Sequence, residues 1–329
     1  MESTSAAQFD ASAAFDVPGL ERVRVDVWAL GQPMPGEHLP ASLLYLLRDS
    51  SGGFHVIDPG TDGDDNWSRL VDALASLDAR PDAIRSVTVT HLHADHLGMA
   101  TRIQHASGAT LALHHAEAAA LQTLAEHPPT REGTAQQARE WGVPVERSAE
   151  LVNVADAMPP VIVPAIDLLL SDGDRLDVPG FALDVVHTPG HTPGHLCLRD
   201  TGRGLLFSGD HLLPTVFSGL GLGGASTTNP LADYLQALER ISRPEDVEVL
   251  PGHGFRFTGV AERAAETAEH HLRRTAEVRA TVAADPSLSI WEIASKLTWT
   301  AGFDNLTGFQ LWSALSQTAL HREYVGGRR

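Results

Sequence analysis

The chain has 329 residues, enough to bury a sizeable core in one large domain or two. Its 42 Asp and Glu against 24 Lys and Arg leave a net charge of −18, which repels phosphate backbones and makes nucleic acid a poor partner. Lys296 is the one lysine and Cys197 the one cysteine, so no intrachain disulfide forms and the redox compartment is left open.

The opening "MESTSAAQFDASAAFD" has no basic or apolar leader segment and reads as neither a secretory signal nor a transit peptide. Residues 1–20 are small, polar and aperiodic, and are expected to be disordered. "RVRVDVWAL" alternates as a strand, and "SLLYLL" and "FHVIDPG" flank the turn "RDSSGG" as a hairpin. "NWSRLVDALASL" carries apolar residues at helical spacing. The β-branched "SVTVT" runs straight into "HLHADHLG", and "GATLALH" is a strand followed by the helical "HAEAAALQTLAEH".

Residues 128–166 are rich in Pro, Glu and Ala and read as a helical insertion over a scaffold edge. Strand character returns at "FALDVVH", "HLCLRD" and "GLLFSGD". The helix "PLADYLQALERI" and the strand "VEVLPGHG" follow, and the pattern is helical after residue 260. Strands interleaved with helices, yet rich in hairpins, suggest sheets sandwiched between helical layers. A mixed strand-and-helix unit over 21–260 and a helical module over 261–329 follow. No run reaches a membrane span, because Pro164 and Asp167 break "VIVPAIDLLL". A cytoplasmic protein without membrane contact is the simplest reading.

The chemistry concentrates in a few segments. "THLHADHLG" supplies His91, His93, Asp95 and His96 directly after a strand, and a strand-to-helix loop can turn all four into one pocket. Imidazole and carboxylate are the ligands of zinc, manganese or iron. "VVHTPGHTPGHLCL" spaces His187, His191 and His195 four apart, but its Pro and Gly residues cannot continue a helix. His187 ends one strand and His195 begins the next, so His191 alone sits on the turn between them. His55, His114, His115, His270 and His271 read as ordinary residues, the last two on a solvated helix, and Cys197 as core. The glycine-dense "GLGLGGAST" after Phe217 reads equally as a mobile border of the pocket and as a plain connection.

"HLHADH" matches the HxHxDH signature of the metallo-β-lactamase superfamily, and "TPGHTPGH", "FSGDH" and "LPGHG" resemble its later motifs in the same order. The resemblance covers about residues 22–260. It implies an αβ/βα four-layer sandwich. It also implies one ion held by His91, His93 and His191, a second by Asp95, His96 and His253, and Asp210 bridging both. Asp58 in "IDPG" matches the family's buried aspartate that steadies the histidine loop, and His195 is expected beside the ligands. The C-terminal stretch resembles the small helical, winged-helix-like module that follows the catalytic domain in a subgroup of these hydrolases.

The resemblance implies two divalent ions, zinc first, with iron or manganese as alternatives. Held roughly 3.5–4 Å apart, such ions generate a bridging hydroxide at neutral pH. Asp95 and Asp210 would fix that nucleophile and relay its proton. The expected function is hydrolysis of a small ester, thioester or lactone. The rivals are a phosphodiesterase or ribonuclease, a mono-iron dioxygenase and a non-enzymatic interaction protein, the last opposed by the intact set of seven ligands that the resemblance implies. Asp210 stands where the family's antibiotic-degrading zinc enzymes commonly use cysteine, which argues against β-lactams. One lysine argues against a glutathione site built on cations. Residues 262–329 carry eight basic and eight acidic residues, so nothing there forms a groove for RNA. The module is expected to wall the substrate pocket or to make a homo-oligomeric contact.

Overall fold

The computed structural model describes every residue except 37–38, 158–160, 225, 244–245 and 328–329. Its strands are β1 (Glu2–Ser3), β2 (Glu21–Arg24), β3 (Val27–Pro33), β4 (Ala41–Arg48), β5 (Phe54–Ile57), β6 (Ile84–Thr88), β7 (Thr110–His114), β8 (Leu168–Leu170), β9 (Leu183–His187), β10 (Leu196–Asp200), β11 (Leu205–Gly209), β12 (Glu248–Pro251) and β13 (Phe257–Thr258). The helices are α1 (Ala6–Ala14), α2 (Asp64–Ser76), α3 (Ala94–Leu97), α4 (Ala100–Ser107), α5 (His115–Glu126), α6 (Arg131–Glu140), α7 (Val145–Ala157), α8 (Pro230–Ile241), α9 (Val260–Ala284), α10 (Ile290–Ala294) and α11 (Gly308–Val325).

Two mixed sheets face each other. One has the order β2-β3-β4-β5-β6-β7-β8, antiparallel through β5 and parallel from β5 to β8. The other has the order β1-β13-β12-β11-β10-β9, with only β11 and β12 parallel. β4 shows why the sequence stacks this way. Its near-continuous apolar run is buried on both faces, as a central strand requires. Leu43, Tyr45 and Leu47 pack inward against Leu198, Phe207 and Leu250 of the opposite sheet. Leu44 and Leu46 pack outward with Leu70 and Leu74 of α2 and Ile103 of α4. On the far side Leu231, Tyr234, Leu238 and Ile241 of α8, at helical spacing, cover Leu206 and Val249. Asn229 caps α8 by accepting from the amides of Leu231 and Ala232 at 3.0 and 3.2 Å. The result is helix, sheet, sheet, helix, the four-layer αβ/βα sandwich.

Four expectations are corrected. Residues 1–20 are not disordered. β1 pairs with β13, Ser5 caps α1, and Gln8, 1% exposed, accepts from the amide of Arg256 at 3.0 Å. "RVRVDVWAL" is two strands, because the chain turns at Asp26 with φ 62°. The insertion does more than cover an edge. Ala138, Val143 and Leu151 of the α6–α7 region share one apolar cluster with Ile290, Ala294, Leu311 and Leu315, so insertion and C-terminal helices form one cap. His271 is buried rather than solvated, packed near Tyr234 and His321. The C-terminal module is α9, α10 and α11. Among the described residues no strand follows Thr258, so the helical part of a winged-helix module is present without a wing. Also among the described residues, no helix is long and apolar enough to cross a membrane.

Candidate metal centre

The parallel strands β5, β6, β11 and β12 end on the same edge of the sandwich, and their C-terminal loops deliver Asp58, His91 to His96, Asp210 and His253 to one point. The β9–β10 turn adds His191. Two contacts lock the sheets together there: the amide of Leu43 donates to the Gly252 carbonyl at 2.8 Å, and the Tyr45 hydroxyl to the Pro251 carbonyl at 2.7 Å.

All seven expected ligands converge, as three overlapping groups: His91, His93 and His191; His91, His96 and Asp210; Asp95, His96 and His253. Within each group the ligand atoms lie within 4.8 Å of one another. His93 Nδ1 is 3.0 Å from His91 Nε2 and 3.1 Å from His191 Nε2. The opposite nitrogen of each ring is already engaged. His91 Nδ1 donates to Thr90 Oγ1 at 3.0 Å, His93 Nε2 to the Leu222 carbonyl at 3.3 Å, and His191 Nδ1 to the Gly219 carbonyl at 2.7 Å. Three ring nitrogens therefore face one another across a gap that suits a cation. A tetrahedral ion with ligands at about 2.0–2.1 Å spaces them about 3.4 Å apart, close to what is seen. Burial, chiefly, keeps all three rings neutral. It holds His91 well below the usual imidazole value, lowers His93 and brings His191 down to about 4.

The second group carries the charge. His96 Nε2 lies 3.6 Å from Asp95 Oδ2 and 3.4 Å from Asp210 Oδ1. His253 Nε2 lies 3.2 Å and 3.3 Å from the same atoms. Asp210 reaches the first group through Oδ2, 3.7 Å from His191 and 4.0 Å from His91. Its Oδ1 is buried and makes no hydrogen bond. One carboxylate thus spans both groups, and its orphaned oxygen fits a second ion. Burial opposes charge on both rings, yet the carboxylates outweigh it. Asp210, Asp95 and Asp58 hold His96 well above the usual value, and Asp210 and Asp95 hold His253 up at about 10. The same pairing, led by the charges of His253 and His96, overcomes burial and holds Asp210 well below the carboxylate range.

In the metal-free pocket, a proton held by His253, with His96 raised beside it, therefore takes the place of a cation. Ion uptake near pH 8 should release that proton. Calorimetric titration in buffers of different ionisation enthalpy checks this, and a heat that does not depend on the buffer contradicts it.

Asp58 lies where expected, in left-handed backbone with φ 52°. Its Oδ1 accepts from the Thr90 amide at 2.7 Å. Its Oδ2 accepts from the Thr90 hydroxyl at 2.7 Å and from His96 Nδ1 at 2.9 Å. One carboxylate therefore orients both His91, through Thr90, and His96. His195 Nε2 accepts the Asp210 amide at 3.1 Å and so fixes Asp210 from behind. His187 lies away from the pocket, stacked on His114 and donating to the Pro193 carbonyl at 3.0 Å.

Sequence reasoning missed Glu117. This fully buried carboxylate on α5 accepts from the Leu92 amide at 3.1 Å, the Gly194 amide at 2.7 Å and the Thr192 hydroxyl. It ties the His91–His93 segment to the His191 turn. Gly194 must be glycine here, since a Cβ would come within 2.3 Å of the Glu117 backbone nitrogen. The one signal was an acid near the start of an otherwise apolar helix. The glycine loop is also more than a border, since its carbonyls orient His93 and His191.

Residues 40–253 match the family described as the Metallo-beta-lactamase superfamily. The chain is 30% identical over 219 residues to a hydroxyacylglutathione hydrolase of Aeromonas salmonicida, a stretch covering 66% of this chain and 63% of that one, less than two thirds of that relative's length. It is 30% identical over 275 residues to the acyl-coenzyme A thioesterase MBLAC2 of Gallus gallus, covering 79% and 88%. The crystal structure of a metallo-beta-lactamase family protein from Thermus thermophilus superposes with a TM-score of 0.76 at 27% identity, covering 93% of this chain and 94% of that one. With the matched segment spanning both sheets and carrying all seven converging side chains, the chain belongs to the metallo-β-lactamase superfamily.

Proposed function

We propose that this chain is a dinuclear metal-dependent hydrolase of thioesters, with zinc as the first candidate ion. The observation that carries the reading is the pair of abutting ligand groups with Asp210 between them, one oxygen turned to each. Two divalent ions bound there supply Lewis acidity, both for the carbonyl oxygen of an acyl group and for the acidity of a water molecule.

The chain's own residues do the rest. Asp95 and Asp210 are the ionised acids of the pocket. Asp95 is the more open of the two, with 19% of its side chain exposed against 11%, so the Asp95 carboxylate is placed to hold the proton that the attacking water loses. Water adds to the thioester carbonyl carbon, the C–S bond breaks, and the proton passes to the leaving thiolate, giving a carboxylic acid and a thiol. The protein offers no competing thiol nucleophile, because Cys197 is fully buried and burial pushes it up to about 12.

The ester class is supported by the names of the relatives, one a hydroxyacylglutathione hydrolase and one an acyl-coenzyme A thioesterase. The net charge of −18 and the single lysine favour a thioester whose thiol half carries little negative charge. A panel of thioesters, lactones, aryl esters and bis-aryl phosphates, assayed on zinc-loaded protein, tests the reading. Thioesters should turn over fastest. Preferential cleavage of the phosphates, or oxygen consumption by an iron-loaded chain without hydrolysis, would replace it with the nuclease or the dioxygenase.

A further inference from the structure

The two ligand groups rest on different parts of the fold. His96 and His253 are oriented by groups belonging to the sheets, the Asp58 carboxylate after β5 and the Ala41 carbonyl at the start of β4, the latter at 2.9 Å. His93 and His191 rest instead on the carbonyls of Leu222 and Gly219 in the glycine loop. That loop is zipped to the His191 turn, with the amides of Gly221 and Leu222 donating to the carbonyls of Gly190 and His191 at 2.8 and 2.9 Å. A Cβ at Gly223 would lie 2.5 Å from the Pro193 ring and 2.9 Å from Thr192 Cβ, so loop and turn meet where only glycine fits.

What holds the loop in place comes from the C-terminal module. Gln317 of α11 donates from Nε2 to the Leu220 carbonyl at 2.8 Å. Leu320, one turn on, packs over Gly221, its Cδ1 3.1 Å from where a Cβ would stand. The Leu320 carbonyl accepts from Asn229 Nδ2 at 3.1 Å, at the far end of the same loop. Helix α11 therefore grips the loop at Leu220, Gly221 and Asn229, and the loop grips two ligands of one group.

We propose that Gln317 is a positioning residue for half of the metal centre. Through the glycine loop it orients His93 and His191, and so sets the ion affinity of the group they form with His91, while the Asp95–His96–His253 group stands independent of it. The proposal rests on the dinuclear reading given above. An imidazole ligand is aimed by the bond its other nitrogen makes, and removing such a partner costs about 10–100-fold in metal affinity. Gln317 acts one bond further out, so the lower end of that range, about tenfold, applies.

The test is calorimetric titration of the metal-stripped full chain with zinc, beside thermal melts. Gln317→Glu sets an oxygen against the Leu220 carbonyl and removes the donor, whereas Gln317→Arg keeps an N–H there. The wild type should show two uptake steps. Gln317→Glu should weaken one step about tenfold and leave the other alone, and Gln317→Arg should restore it. Adding His253→Ala to Gln317→Glu should leave only the weakened step. Gly223→Ala, which leaves α11 intact, should weaken the same step and keeps the test available if the Gln317 variants melt early. A Gln317→Glu chain that melts like the wild type and binds both ions with wild-type affinity, or with both steps weakened equally, overturns the proposal. A wild type that takes up no zinc overturns the dinuclear reading with it.

Discussion

On the proposed dinuclear reading, the wild type should bind two divalent ions and Asp210→Asn one, and thioester turnover of the variant should fall by at least about 100-fold. The substitution keeps the shape of the side chain and changes only what its two outer atoms offer. In the wild type Oδ1 faces His96 and His253 at 3.4 and 3.3 Å, and Oδ2 faces His191 and His91 at 3.7 and 4.0 Å. An amide has one acceptor and one donor, so whichever way it turns, an N–H₂ points into one group and cannot ligate there. The pocket also loses a negative charge. Asp210 is the foremost charge sustaining protons on His96 and His253, so both rings titrate lower in the variant. Fewer protons should then leave on ion uptake. Metal content by elemental analysis, kcat on a thioester and the buffer dependence of the binding heat measure the three effects. Two ions per chain with an unchanged kcat would show that the carboxylate does not bridge.

The sequence exposes side-chain chemistry and conceals main-chain chemistry. Residue type after a strand or on a turn pointed to His91, His93, Asp95, His96 and His191, whereas Asp58, Asp210 and His253 were legible only because their segments resemble the family's motifs. The layers were legible because β4 and α8 carry their periods plainly. The acceptors that aim His93, His191 and His253 are carbonyls of Leu222, Gly219 and Ala41, and every residue has a carbonyl. Only the folded loop decides which one is used. Residues 1–20 look featureless because what orders them lies elsewhere. The edge of β13 supplies a ladder for β1, and buried Glu248 and Arg256 supply partners for Thr4 and Gln8. His271 looked solvated because α9 is polar on average, yet α8 and α11 cover it from two sides. Glu117 was hidden for a related reason: its partners are two amides and a hydroxyl, separated from it by up to 77 residues.

Removing that carboxylate should be among the most damaging single changes outside the ligands. Glu117→Ala leaves the amides of Leu92 and Gly194 and the hydroxyl of Thr192 without an acceptor in a pocket closed to water. Each buried donor left unpaired costs about 1–3 kcal/mol, so a loss of about 3–9 kcal/mol follows, which for a chain this long lowers Tm by roughly 5–15 °C. Glu117→Gln should cost less, since it keeps an acceptor for one of the two amides but turns an N–H₂ toward the other. The pair also separates packing from charge. Burial pushes the Glu117 carboxyl up from an ordinary 4.5 to about 7, against the pull of its three donors. A carboxyl whose folded pKa is raised binds its proton more tightly in the native state. Its contribution to stability is thus full below about pH 4.5 and fades as pH rises through about 7. In the metal-stripped chain, the wild type should lose stability across that window relative to Glu117→Gln, which has no proton there to release. Urea titrations of both proteins at intervals from pH 4.5 to pH 8 measure the difference. A constant gap between the two would mean that Glu117 is ionised throughout and that its three donors, rather than its burial, set its charge.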